Sequence, residues 1–208
     1  MPLSLARGGL VAPPPSGGAW IGGADGRGAG RSAAFIALYV LLAATTMVFG
    51  ALTLAFVFRR GLSDDWGGLH KPPILWFDTA ALLASSLALE LARRALRGGD
   101  GHRANRWWSL GTGFGFLFLA GQTVAWYQLR QAGVFVSTSP GSSFFYVLTA
   151  AHAVHVLCAL GALVYVGLRA RPKGWLPPRA AAIDLAAVFW HFLDGLWICL
   201  MILFYAWG

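Results

Sequence analysis

Charge is scarce in this chain, and what there is leans one way. Only 12% of its 208 residues are charged, with 16 Lys and Arg against 8 Asp and Glu, whereas 57% are hydrophobic. With a mean hydropathy of +0.62, so little charge excludes a soluble domain as the body of the protein. Cysteine is rarer still. Cys158 and Cys199 show no CxxC or CxxCH spacing, so covalent haem attachment and thiol–disulfide chemistry have no support. They fall on helices expected to run in opposite directions, near opposite membrane faces, which argues against a disulfide and assigns both to the core as small residues. The alternating pattern of a membrane β-barrel is missing, and an all-α bundle is the remaining way to satisfy a backbone in lipid. No short apolar stretch near the start resembles a cleavable signal peptide.

Long apolar runs are what the chain does have. They occur at about 33–58, 73–97, 107–130, 143–168 and 180–207, each near the length of about 20 residues that a helix needs to cross a hydrocarbon core of about 30 Å. The expected architecture is a polytopic bundle of five transmembrane helices over 33–208. Residues 1–32, rich in Gly, Pro and Ala with Pro13, Pro14 and Pro15 in a row, read as a disordered cytoplasmic tail. Basic residues orient the bundle. One side receives Arg7, Arg27 and Arg31, then Arg93, Arg94, Arg97, Arg103 and Arg106, then Arg169, Arg171, Lys173 and Arg179; the other receives Arg59, Arg60, Lys71 and Arg130. That asymmetry puts the N-terminus inside and the C-terminus outside, and makes the net charge of +8 largely a matter of topology. Because these charges sit at helix ends and form no basic, aromatic face, nucleic acid is not an expected partner. Two small-xxx-small pairs, Thr46 with Gly50 and Gly111 with Gly115, are expected to let helices approach closely.

Against this apolar background a few ionisable residues stand out. The fourth run holds His152 and His155; the fifth holds Asp184, His191 and Asp194. One Asp at the centre of a spanning helix costs about 2.5–3.5 kcal/mol even on lenient scales, so such groups are expected to have partners. At about 1.5 Å of rise per residue, His152 and His191 both fall about 15 Å deep, with His155 and Asp194 about 20 Å from their helix entries and Asp184 about 5 Å. Asp184, His191 and Asp194 can share one broad helix face and meet the two histidines of the neighbouring antiparallel helix. Metal or haem ligation, proton relay and a structural pin between helices are the readings open to such a cluster. The spacing is no metal-site signature, and the cost of unpaired buried groups favours the pin. Glu90, near the cytoplasmic end of the second run beside Arg93 and Arg94, is expected in a snorkelling ion pair.

The same residues carry a resemblance. TAAHAVHV at 149–156, preceded by SSFFYVL, resembles the T-G-x-H-G-x-H-V stretch of subunit III of haem-copper cytochrome c oxidases. FWHFLDGLW at 189–197 resembles that family's Y-W-H-F-V-D-x-x-W segment, and PPILWFDTAALLASS resembles P-x-x-N-T-x-x-L-L-x-S, with Asp78 where Asn is usual. Asp184 stands where Glu is common, and Ala150 and Ala153 replace family glycines. The likeness covers about 33–208 and fits the five-helix bacterial form in a plasma membrane. It implies a subunit of a proton-translocating oxidoreductase complex that is itself non-redox and non-catalytic. Haem and copper would reside in partner subunits I and II, phospholipid would bind between helices, and the chain would support proton uptake beside subunit I. His152, His155, Asp184, His191 and Asp194 would be structural positions. One departure is that Thr45 occupies the place of a buried family Glu, so no carbodiimide-reactive carboxylate is expected there. A subunit-III-like partner of nitric oxide reductase is the alternative. A proton-coupled transporter is disfavoured by the lack of an internal repeat or broken helices.

Overall fold

The computed structural model describes residues 25–62, 66, 71–170 and 180–207, all of whose regular structure is helical. Five helices follow in order: α1 Asp25–Leu62, α2 Ile74–Arg97, α3 Gly101–Gln131, α4 Pro140–Ala170 and α5 Ala180–Trp207. The helix boundaries follow local chemistry. At the end of α2, Gly99 takes a φ of +79°, a conformation that costs glycine nothing, and the Asp100 N–H returns to the Ala95 carbonyl at 3.0 Å. Asp100 then caps α3, its carboxylate accepting from the Arg103 N–H at 2.9 Å, which satisfies one of the free donors of the first turn. Before α4, Ser139 and Ser142 cap one another reciprocally, at 3.0 and 3.2 Å, and Pro140 occupies the first helical position, where its missing N–H is not needed. The Tyr146 hydroxyl donates to the Val134 carbonyl at 3.0 Å, tying the α3–α4 connection down.

Four helices are long and apolar enough to cross a membrane: Ser32–Leu62, Ile74–Arg97, Pro140–Ala170 and Ala182–Trp207. The remaining helix, α3, is 31 residues long but is made less apolar by Gln122, Gln128, Arg130 and its glycines. Helix α1 starts at Asp25, inside the stretch expected to be a disordered tail; residues 1–24 lie outside the described residues.

The α2–α3 pair is the most extensive helix contact, α4 lies on α3 and α5, and α5 touches α1, α2 and α4. Helix α5 is accordingly the most buried span and α1 the least. Helix α1 buries one stripe, Leu38, Thr45, Phe49 and Phe56, a helical spacing that faces α4 and α5. At one end of the bundle Phe56 packs edge-on against Trp66 and Phe144, at 4.9 and 5.7 Å between centroids.

Of the two small-residue pairs, only Gly111 and Gly115 sit at a close approach within the chain. A Cβ on Gly111 would lie 2.8 Å from Leu89, and one on Gly115 2.6 Å from Trp190. Thr46 and Gly50 are exposed, and no neighbour lies within 4 Å of a Cβ built on Gly50, because α1 docks through a different stripe. Cys158 and Cys199 are likewise exposed rather than in the core. The neighbouring positions Val156, Ala159, Leu160, Trp197 and Leu200 are buried and take the inward face of each helix, which leaves the cysteines on the outward one.

Candidate functional site: polar rungs inside the bundle

Helix α2 carries Thr79, Ser86 and Arg93 at intervals of seven, so they recur along one face after two turns. Each meets a residue of the antiparallel α5. The Trp197 indole donates to Thr79 Oγ1 at 3.0 Å, and Ser86 Oγ is hydrogen-bonded to His191 Nδ1. Arg93 reaches Asp184 Oδ1 through Nε at 3.0 Å and Nη2 at 2.8 Å. On α5 those partners, 197, 191 and 184, step back by six and then seven, which keeps the two series in register over three rungs. The last rung extends sideways. Arg93 Nη1 also holds Glu90 Oε2 at 3.0 Å, and Arg94 Nε reaches Glu90 Oε1 at 3.3 Å.

The neighbouring stripe of α2, one residue back, turns to α3. Gln122 Nε2 donates to Asp78 Oδ2 at 2.8 Å, and Ser85 Oγ donates to the Gly111 carbonyl at 2.7 Å. Helices α3 and α4 are joined by Trp126 Nε1 to Thr149 Oγ1 at 3.1 Å and Trp108 Nε1 to the Leu163 carbonyl at 3.0 Å.

The ionisable residues of α4 and α5 therefore do not form one cluster. Asp184 is taken by Arg93. His191 is taken by Ser86, with Asp194 Oδ2 at 3.9 Å, beyond hydrogen-bond reach. His155 Nδ1 returns to the Ala151 carbonyl of its own helix at 2.8 Å. His152 is fully buried, with neither ring nitrogen partnered, and is enclosed by Phe49, Phe118 and Trp197 at 6.4, 5.7 and 5.1 Å between centroids. The physical reason is length: seven residues between Asp184 and His191 amount to about 10 Å, so each finds a different level of α2. Thr45 is buried and returns its hydroxyl to the Leu41 carbonyl at 2.9 Å. Among the described residues no group of three or more His, Cys, Asp and Glu gathers where a metal ion could sit.

The acidic and histidine side of this arrangement stands out in the sequence; Ser86, Arg93 and Gln122 as partners of His191, Asp184 and Asp78, and Thr79 as partner of Trp197, do not. The signal was present in the seven-residue recurrence of polar side chains along α2, in step with Asp184 and His191 seven apart on α5.

Residues 68–208 match the family described as Cytochrome c oxidase subunit III. The chain belongs to that family. A probable cytochrome c oxidase subunit 3 from Nocardia farcinica is 34% identical over 172 residues, covering 80% of this chain and 84% of the relative. The cytochrome c oxidase subunit 3 of Corynebacterium diphtheriae is 35% identical with the same coverage. That of Thermostichus vulcanus is 28% identical over 179 residues, 82% of this chain and 85% of the relative. Family membership and the four apolar helices together make this a multi-pass membrane protein.

Proposed function

We propose that the chain is a non-redox subunit III of a respiratory haem-copper terminal oxidase in a bacterial plasma membrane, where it packs beside catalytic subunit I and stabilises the complex. The observation that carries this reading is the subunit III match over residues 68–208. The polar rungs support the non-redox part of it: Asp184 and His191, two of the five ionisable residues that stand out in the sequence, are engaged by α2 of the same bundle. In this role His152, His155, Asp184, His191 and Asp194 build the bundle, and haem and copper belong to subunits I and II. A contribution to proton uptake then runs through groups other than position 45, where the Thr45 hydroxyl is already spent on its own helix.

Helix α3 completes five spans, with the N-terminus cytoplasmic and the C-terminus outside. What supports the span is the direction of its side chains: Gln122 and Trp108 are buried, whereas Leu110, Phe116, Leu117 and Val124 are exposed, the pattern of a helix with lipid outside and protein inside. The exposed apolar face of α1, including Ile36, Val40, Met47 and Leu54, is available to phospholipid or to a neighbouring subunit.

Mild-detergent affinity purification from the native membrane, with mass spectrometry and an optical spectrum, tests the assignment. Recovery of subunits I and II with a haem spectrum is expected; recovery with nitric oxide reductase subunits, or of a colourless solitary chain, overturns it. Within the recovered complex, His191→Ala is expected to weaken assembly without changing the haem spectrum of the subunit I that remains. Loss of a haem band with assembly intact would contradict the structural role.

A further inference from the structure

Asp78 and Gln122 face each other across the α2–α3 seam with burial that is nearly complete, 0% and 1% exposed. One hydrogen bond joins them, from Gln122 Nε2 to Asp78 Oδ2 at 2.8 Å. Each side chain has one oxygen left over, Asp78 Oδ1 and Gln122 Oε1, and both are buried without a partner. An ionised carboxylate has no donor, so as a carboxylate Asp78 would leave two acceptors unanswered on adjoining side chains. A proton on Oδ1 would turn that acceptor into a donor, and Oε1 of the same carboxamide that already reaches Oδ2 is the acceptor left to receive it. The result is a closed ring of N–H···O and O–H···O between a carboxylic acid and a carboxamide.

The surroundings favour the neutral form. Gly121 presses the α3 backbone against the carboxyl so closely that a Cβ there would overlap Asp78 Oδ1, which leaves no space at that point for a side chain to answer a charge. The ion pairs of α2 lie at its other end, where Arg93 and Arg94 hold Glu90 and Asp184. On α5, which also packs on α2, Trp197 is engaged by Thr79 and His191 by Ser86; Asp194 there adds an acid and no cation. The free donors at the start of α2 favour an anion only within the first turn, and Asp78 is the fifth residue of a helix that begins at Ile74. Among the described residues no cation pairs with Asp78, whose hydrogen bond is to Gln122; an ionised group buried in that way is the costlier state, and such a group takes up a proton instead.

We propose that Asp78 holds a proton and forms with Gln122 a cyclic acid–amide clasp between α2 and α3, a latch that opens when the proton is lost. Opening sets two acceptor oxygens against each other at the point where Gly121 brings the helices together.

Infrared spectroscopy of the full-length chain in its purified membrane complex tests this at neutral pH. A carboxylic C=O band is expected that moves to lower frequency in deuterium oxide and vanishes in Asp78→Asn, whose amide reproduces the ring. Loss of an ionised-carboxylate band in that variant instead would overturn the clasp. Should Asp78→Asn fail to assemble, ¹³C-aspartate labelling of the wild-type chain and of Gln122→Leu decides independently. The labelled acid band of Asp78 is expected to move to higher frequency when Gln122 is replaced, because its carbonyl loses the amide donor. No labelled acid band, or none that responds to Gln122→Leu, would also overturn the proposal.

Discussion

Helices α2 and α4 both bring polar side chains into the bundle and, Thr149 with its Trp126 partner apart, they treat them in opposite ways. Along α2 every interior polar group meets a neighbouring helix: Thr79, Ser86 and Arg93 meet α5, and Asp78 and Ser85 meet α3. On α4, His152 is surrounded by aromatic rings with both nitrogens unpartnered, and His155 turns back to its own helix. The difference teaches that a shared helix face is necessary for polar groups to meet but does not make them meet. Register with the helix opposite decides, and only α2 and α5 have matching repeats. A single interhelical hydrogen bond in a membrane averages about 0.6 kcal/mol, so the effect of α2 comes from many rungs held in step rather than from one strong bond.

The contrast can be broken most forcefully at the close approach on which the seams depend. Gly115→Leu is expected to prevent stable assembly, since its Cβ alone would fall 2.6 Å from Trp190 and 2.7 Å from Leu160 and overpacking costs about 1–3 kcal/mol even where neighbours can adjust. Gly50→Leu, into open space on α1, is the matched control and should leave the melting temperature unchanged. Equal effects at the two sites would refute the packing described.

A smaller loss is expected at the charged rung. Arg93→Ala strands Asp184 and leaves Glu90 with Arg94 alone, but Asp184 is 42% exposed and water screens part of the cost, so about 1–2 kcal/mol is the expected destabilisation. A double-mutant cycle with Asp184→Ala should show coupling between the two positions; strict additivity would mean that the rung contributes nothing.

Ser86→Ala removes one uncharged rung and should cost about 0.6 kcal/mol, visible as a small drop in the detergent-unfolding midpoint. His152→Phe supplies the sharpest version of the comparison. Replacing a buried ring that has no hydrogen bonds by an apolar ring of similar shape relieves an unsatisfied group, so stability should hold or rise slightly. His191→Phe should lower it through loss of the Ser86 bond. If His152→Phe proves the more damaging of the two, the ordering of α2 over α4 is wrong.

Much of this protein was legible along the chain because membrane structure is governed by local quantities. Apolar length located α2, α4 and α5 to within a few residues of their observed bounds, and the motifs around His152, His155 and His191 pointed to the family. The ion pair of Glu90 with Arg93 and Arg94 was readable because residues three and four apart on one helix are neighbours whatever the fold. The glycine pairs show where such reading stops. Gly111 and Gly115 look no different from Thr46 and Gly50 in sequence, yet one pair is clamped between helices and the other faces outward. The cysteines are exposed where the core was expected for the same reason, since smallness marks a residue that fits a core without saying which way it points.

The amino-acid sequence by itself determined that this chain is helical, multi-pass and of the subunit III family, because backbone hydrogen bonds in lipid must close within helices and the apolar runs set where those helices lie. The tertiary structure alone decided who answers whom: that Asp184 belongs to Arg93, that His191 belongs to Ser86, and that His152 belongs to no polar partner. Those pairings depend on the azimuth and vertical register of one helix against another. Both are set by packing around glycines and tryptophans far apart in the chain, and no single helix carries that information.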